Sequence, residues 1–164
     1  MKKSISAILI LILFFTAQSC FYNNGPDRFP DNYKPVIMER AAFENSIALL
    51  PPRNVIKAGK IYIKDNYAFV NDENEGFHIY NYSNPATPIA INFLKIPGAT
   101  DVSIRNNILY INQAVDLVTL NYNPNSNNYS FKHRNKNVFP QKLSPEGSIA
   151  QTNENQIVVK WISN

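Results

Sequence analysis

The side chains able to do chemistry are few and scattered. His78 and His133 are the two histidines. His78 falls in the run Phe77-His-Ile-Tyr-Asn-Tyr82, where period-two alternation puts positions 78, 80 and 82 on one face of a strand. A His-Tyr-Tyr face could hold a ligand, although a satisfied or exposed strand face is the commoner use of such residues. His133 falls in Lys132-His-Arg-Asn-Lys136, a basic run that reads as a solvated turn. Asp72, Glu73 and Glu75 suggest a cation site or an acid/base pair, and Asp72-x-Asn74-x-Gly76 has the opening spacing of a calcium loop. The downstream bidentate Glu that closes such a loop is missing, so the segment reads as a polar hairpin turn. Two carboxylates held across a cleft, as glycoside hydrolysis requires, are not identifiable. With five glycines in the chain, Gly-rich phosphate loops have little material, and no nucleophile elbow or zinc-ligand spacing occurs. These patterns point away from an enzyme and imply no cofactor or metal.

Nine Tyr and ten Phe are the remaining lead. Aromatic residues serve strand packing first. They could also form a sugar-stacking or protein-docking surface, for which Tyr62, Tyr67, His78, Tyr80, Tyr82 and Tyr110 are the candidates.

Cys20 is the single cysteine. Ahead of it stand a basic start, Lys2-Lys3, an apolar run from Ala7 to Phe15, and the small and polar residues Thr16-Ala-Gln-Ser19. These are the parts of a secretory signal, and the run is shorter than the roughly 20 residues a bilayer-spanning helix needs. Ala17-Gln-Ser-Cys20 resembles a lipobox, with Ala17 where that pattern favours Leu. Lipidation would consume a thiol that has no partner in an oxidising compartment. Each buried CH₂ contributes about 0.8 kcal/mol, so several acyl chains on Cys20 make a stable membrane anchor. The expectation is a signal peptide over residues 1–19 and a mature chain anchored through palmitate-type acyl chains on Cys20. The expected location is the bacterial cell envelope, at the outer membrane, with the periplasmic or surface face left open.

Without Lys2 and Lys3 the 16 basic residues fall to 14 against 12 acidic ones. Nucleic-acid binding usually shows a clustered basic patch, and this near-balance excludes it as an expectation. The length suits one domain. Residues 20–57, with Pro26, Pro30 and Pro35 and the helix-forming stretch around Glu39–Glu44, read as a tether with a short helix ended before Pro51-Pro52.

From Ala58 the pattern has period two. Lys60-Ile-Tyr-Ile-Lys64, Tyr67-Ala-Phe-Val70, Phe77–Tyr82 and Ile89–Ile96 read as four strands separated by Asn-, Asp- and Pro-rich turns. The unit then repeats. Ile61–Asn71 aligns without a gap on Val102–Asn112 at an offset of 41, and Phe77–Tyr82 aligns on Leu117–Tyr122 at an offset of 40. Gaps fall in turns and agreement falls in strands, and a period near 40 with four strands per unit is the signature of propeller blades. A fainter third start lies at Ser148–Trp161.

Lys60–Val70, Gly76-Phe-His-Ile-Tyr80 and Ser83-Asn-Pro85 resemble the LVIVD repeat, whose units run strand, turn, strand, Gly-Leu-x-hydrophobic, Ser-Asn-Pro. Asp116-Leu-Val-Thr-Leu-Asn-Tyr-Asn-Pro124 is similar to the second half of that unit, and Tyr33-Lys-Pro-Val36 resembles the segment leading into the repeats of such lipoproteins. The resemblance implies a propeller-type β fold on the cell envelope and no defined activity.

The expected fold is all-β: a partial β-propeller-like array of about two four-stranded blades over residues 58–164. Its units run over about 58–98 and 99–140, with a partial third over 145–164. A closed propeller takes about four blades or more. The array is therefore a short relative, a truncated form of a longer chain, one completed by another chain, or a two-unit sandwich. Open strand edges pair with other chains unless blunted. Either self-association or protection by the N-terminal segment and residues 125–140 is expected. The functional expectation is an envelope lipoprotein with a non-catalytic module for protein interaction or scaffolding; the alternative is a glycan-binding accessory lipoprotein.

Overall fold

The computed structural model describes residues 32–123 and 126–164. The signal peptide, Cys20 and the first part of the expected tether lie outside them.

Blade I is a meander of four antiparallel strands, β3 (Ala58–Lys64), β4 (Tyr67–Asp72), β5 (Gly76–Asn81) and β6 (Ile89–Lys95). Blade II repeats it with β7 (Ala99–Arg105), β8 (Ile108–Gln113), β9 (Asp116–Asn123) and β10 (Asn128–Asn135). The likeness extends to irregularities. Both first hairpins carry a register shift at their start, between Ala58 and Ile61 and between Ala99 and Asp101. Both last hairpins carry one in mid-strand, between Ile79 and Tyr80 and between Phe131 and His133.

Some of the asparagines serve tight turns. Asp65 and Asn106, at equivalent places in the first hairpins of the two blades, hold left-handed backbone at φ 54° and 52°. Asn74, Asn127 and Asn137 do the same. Short Asn and Asp side chains tolerate this region better than other non-glycine residues. Gly76, at φ 145°, has a different constraint: a Cβ there would lie 2.1 Å from the Leu94 carbonyl oxygen.

The blades pack face to face. Phe69, Phe77, Ile79 and Leu94 of blade I meet Val102, Leu109, Ile111, Val118 and Leu120 of blade II in the main core. Each such side chain, fully buried, contributes about 1.5–3 kcal/mol. A second core lies where β1 (Tyr33–Glu39) pairs antiparallel with β11 (Gln156–Ser163). Val36, Met38, Ile157 and Val159 pack there on Phe43 and on the β8–β9 turn residues Ala114 and Val115.

Residues 33–57 differ from the expected tether. They form β1, a five-residue helix α1 (Arg40–Glu44) and β2 (Ala48–Leu50), which adds to the β6 edge of blade I. The apolar alternation of Val36 and Met38 is a strand pattern that finds its partner at the far end of the chain, so local reading could not supply it. The third unit is likewise a single strand, β11, completed by β1 and not by a hairpin of its own. The basic run 132–136 also differs from the solvated turn expected of it. Lys132–Asn135 belong to β10, and Arg134 turns inward onto Asp116.

Candidate functional site

Cross-strand partners share a face, so the register sorts the six candidate ligand residues. Tyr62 pairs with Phe69, and Tyr67 stands two positions before Phe69, so both point into the main core. The Tyr62 hydroxyl donates to Asp101, which also accepts from Lys60 Nζ at 2.7 Å, and its ring meets Phe77 edge-on at 6.4 Å. His78 and Tyr80 point the other way, facing Val70 and Ala68 across β4. Tyr82 is half-buried and its amide donates to the Asn66 carbonyl. Tyr110 lies on the opposite side of blade II. The six therefore do not converge on one surface.

Two buried aspartates organise the ends of the blades; Asp116 does not stand out in the sequence, and Asp72 does so only as part of a polar hairpin turn with calcium-loop spacing. Asp72, at the end of β4, is fully buried. It accepts from Lys57 N at 2.7 Å, Ile56 N at 3.2 Å and Arg53 Nη2 at 3.0 Å, and it pairs with His78 Nε2 at 3.1 Å. The Arg53 guanidinium sits 3.8 Å over the Phe93 ring, and His78 lies tilted against the same ring. Together these fasten residues 51–57 as a strap across the face of blade I. Burial alone would raise the Asp72 carboxyl, but the Lys57, His78 and Ile56 hydrogen bonds outweigh it and hold the group below its ordinary value. Asp116, at the start of β9, repeats the device. It accepts from Arg40 Nη1 at 2.7 Å, Arg134 Nη1 at 2.8 Å and Asn137 N at 3.0 Å, with Phe43 beneath both guanidinium groups. Burial again opposes the charge, and these donors again leave the carboxyl lowered.

Chemically, Asp72–His78 has the form of a base and its orienting group. The pair lies under the strap, its carboxylate oxygens are taken up by backbone and guanidinium donors, and no Ser, Thr or Lys side chain among the described residues bonds to it. It fastens a segment. Among the described residues, no three or more His, Cys, Asp and Glu side chains gather as a metal site.

Two surfaces among the described residues bear on partner binding. An open groove of about 530 Å³ runs between α1 and β10, lined by Glu44, Asn45, Ile47, Tyr129, Phe131 and Lys136 among others. Phe131 is half exposed in it, while the Tyr129 hydroxyl donates to the Ile47 carbonyl at 2.9 Å. The other surface is the face of blade I turned away from blade II. Beyond the strap it presents Ile61 at 64% and Ile63 at 59% exposure, with Val70 and Tyr80 beside them. The outer face of blade II is mixed, with Ser103, Asn112, Thr119 and Asn121 beside Ile108, Tyr110 and Leu117.

A meander of four antiparallel strands, repeated once along the chain with its irregularities in place, defines a blade-type β-repeat module. The chain carries an LVIVD repeat: residues 57–93, which are blade I from the end of the strap into β6, match that family. No curated protein and no solved structure matches the chain.

Proposed function

We propose that this protein is an envelope lipoprotein, anchored through Cys20, whose β-repeat module binds another protein and does no chemistry of its own. The exposed Ile61–Ile63 face carries the reading. Apolar patches on a soluble domain mark interaction sites, and the acids and bases near the blades are consumed in fastening the strap and α1. Anchoring would hold the module at a surface where a weak contact suffices. The anchor is tested by feeding cells an alkyne-bearing fatty acid and fractionating them. Wild-type protein takes up label and sediments with membranes, whereas Cys20→Ser does neither. Unlabelled wild-type protein in the soluble fraction would contradict it.

The groove beside Phe131 favours one second reading, a glycan-binding accessory protein. An exposed aromatic ring flanked by Glu44, Asn45 and Lys136 offers a stacking face and hydrogen-bonding groups to a sugar. Envelope-glycan fragments titrated onto wild type and Phe131→Ala decide it: binding lost in the variant supports this reading, and no binding to wild type removes it.

A further inference from the structure

Lys57, Lys60 and Lys160 each pair with a carboxylate, and Lys142 does not. Glu73 takes Lys57 at 2.8 Å, Asp101 takes Lys60 at 2.7 Å, and Glu75 takes Lys160 at 2.5 Å with Arg53 at 3.7 Å. These charged groups stand on the strap, β3, β7, β11 and the β4–β5 turn, the elements around Lys142. The Lys142 Nζ instead donates to Oδ1 of Asn74, a neutral amide. Its place is fixed from both sides. Lys142 lies between β10 and β11, where the Gln141 side chain clips onto Gln156 O at 2.8 Å and Val158 N at 3.1 Å. The Lys142 carbonyl accepts from Trp161 Nε1 at 3.0 Å. Asn74, in the β4–β5 turn, is tied to the entry of blade II, donating to Ala99 O at 3.0 Å and accepting from Gly98 N at 2.8 Å. Lys142 lines an open pocket of about 320 Å³ with Lys60, Asn71, Glu73, Asn74 and Thr100.

We propose that Lys142 is a covalent modification site, whose amine condenses with small polar aldehydes that enter this pocket. A lysine is nucleophilic only as the free amine. Burial beside an amide, with the nearby carboxylates already taken, disfavours the ammonium form. The Lys142 pKa accordingly falls to about 8 from 10.5, with Glu73 opposing the shift. Near pH 7 roughly one Lys142 in ten is then free amine, against fewer than about one in a thousand for an ordinary lysine. The amine nitrogen attacks the carbonyl carbon, and the π pair of the carbonyl moves to its oxygen. The carbinolamine then loses that oxygen as water, together with both amine protons, and leaves an imine. No oxidant or reductant enters the balance. The walls select the partner: Thr100, Asn71 and Lys60 make the pocket polar, which suits a hydroxylated aldehyde better than an alkyl one. The amine is consumed and nothing turns over, so the site goes beyond the binding reading without making the protein an enzyme.

The test incubates the full chain with glycolaldehyde and cyanoborohydride, which reduces any imine to a stable hydroxyethyl amine, and locates the label by peptide mass spectrometry. At about pH 7, Lys142 is expected to label at least about tenfold faster than the exposed Lys95 and Lys132, and the lead is expected to shrink at about pH 10, where ordinary lysines also hold free amine. Asn74→Asp keeps a residue that tolerates the left-handed turn and sets a carboxylate against the amine. It is expected to remove the lead in a chain that melts no lower than wild type. Labelling of Lys142 no faster than that of Lys95 and Lys132 in the folded wild type would overturn the proposal. A lead that survives Asn74→Asp, or unfolding in urea, would overturn it too, since the pocket would then not be its cause.

Discussion

Ile61 and Val102 occupy the same place in two successive blades and are 64% and 5% exposed. The strand, its register shift and the following turn are alike in both copies, so the difference comes wholly from what packs against each. Val102→Ala therefore removes buried methyl groups and costs about 1–2 kcal/mol. Ile61→Ala in the monomer changes stability by about 0.5 kcal/mol or less. Urea denaturation of the two variants at low protein concentration measures the contrast.

Asp72 makes acid sensitivity a specific expectation. Its folded-state pKa is lowered from 3.8, so the stability it contributes is fully present above that value. It is lost as the pH falls through the folded-state value. Asp116 and Asp101 are lowered as well and act in the same direction. Asp72→Ala takes the shared acceptor from His78 and two strap amides, leaves Arg53 only its longer contact with Glu75 at 3.7 Å, and costs about 3 kcal/mol at neutral pH. It also flattens the acid limb of the stability curve. Melting temperatures recorded from about pH 7 down to about pH 2 check both effects.

Lys142 acts at the other end of the pH scale. Burial lowers its pKa to about 8 against 10.5 in the open chain. Between those values the unfolded chain binds the proton and the folded one does not, so stability rises with pH over this window. The difference amounts to about 1–3 kcal/mol after allowing for partial exposure. Lys142→Met is expected to abolish the rise, as read from denaturation midpoints at about pH 7.5 and about pH 10.

Gly76 tolerates no side chain. A Cβ would meet the Leu94 carbonyl at 2.1 Å and the Ile96 amide at 2.9 Å, both backbone atoms. Gly76→Ala is expected to cost about 3 kcal/mol or more, since relief needs β5 and β6 to part. Circular dichroism melts measure the loss.

Tyr122 carries a phenol that is buried without a hydrogen-bond partner, and burial raises its pKa to about 12. Tyr122→Phe keeps the edge-on contact with Phe69 at 6.0 Å and removes the stranded hydroxyl. It is expected to stabilise the protein by about 1 kcal/mol, a rise in melting temperature that near-neutral scans detect.

The blades were legible because their information is local. Alternation in Lys60–Lys64 and the turn pair Asp65-Asn66 specify a hairpin with no reference to distant residues, and repetition at Val102–Asn112 doubles the signal. Non-local partners were not legible. Val36 and Met38 alternate as any strand does, but only β11, at the other end of the chain, supplies their pairing. Asp72 follows a strand and precedes Glu-Asn-Glu, which looks like a solvated turn; its burial depends on Arg53, and Pro51-Pro52-Arg53 in sequence marks only a helix stop. The tyrosines misled for a related reason, since composition identifies aromatic residues but register decides their face. Tyr62 and Tyr67 point into the core while Tyr80 points out. The exposed Ile61–Ile63 face could not be singled out either, because its period-two pattern is the same as that of its covered counterpart.

Photo-crosslinking from Ile63, and separately from Tyr110, in the full-length protein in its own membrane tests the central claim, that the outer face of blade I is a docking surface. The account expects a protein adduct from position 63 that Ile61→Lys removes from an equally folded chain, and none from position 110. No adduct from position 63, or an equally strong one from position 110, would contradict it.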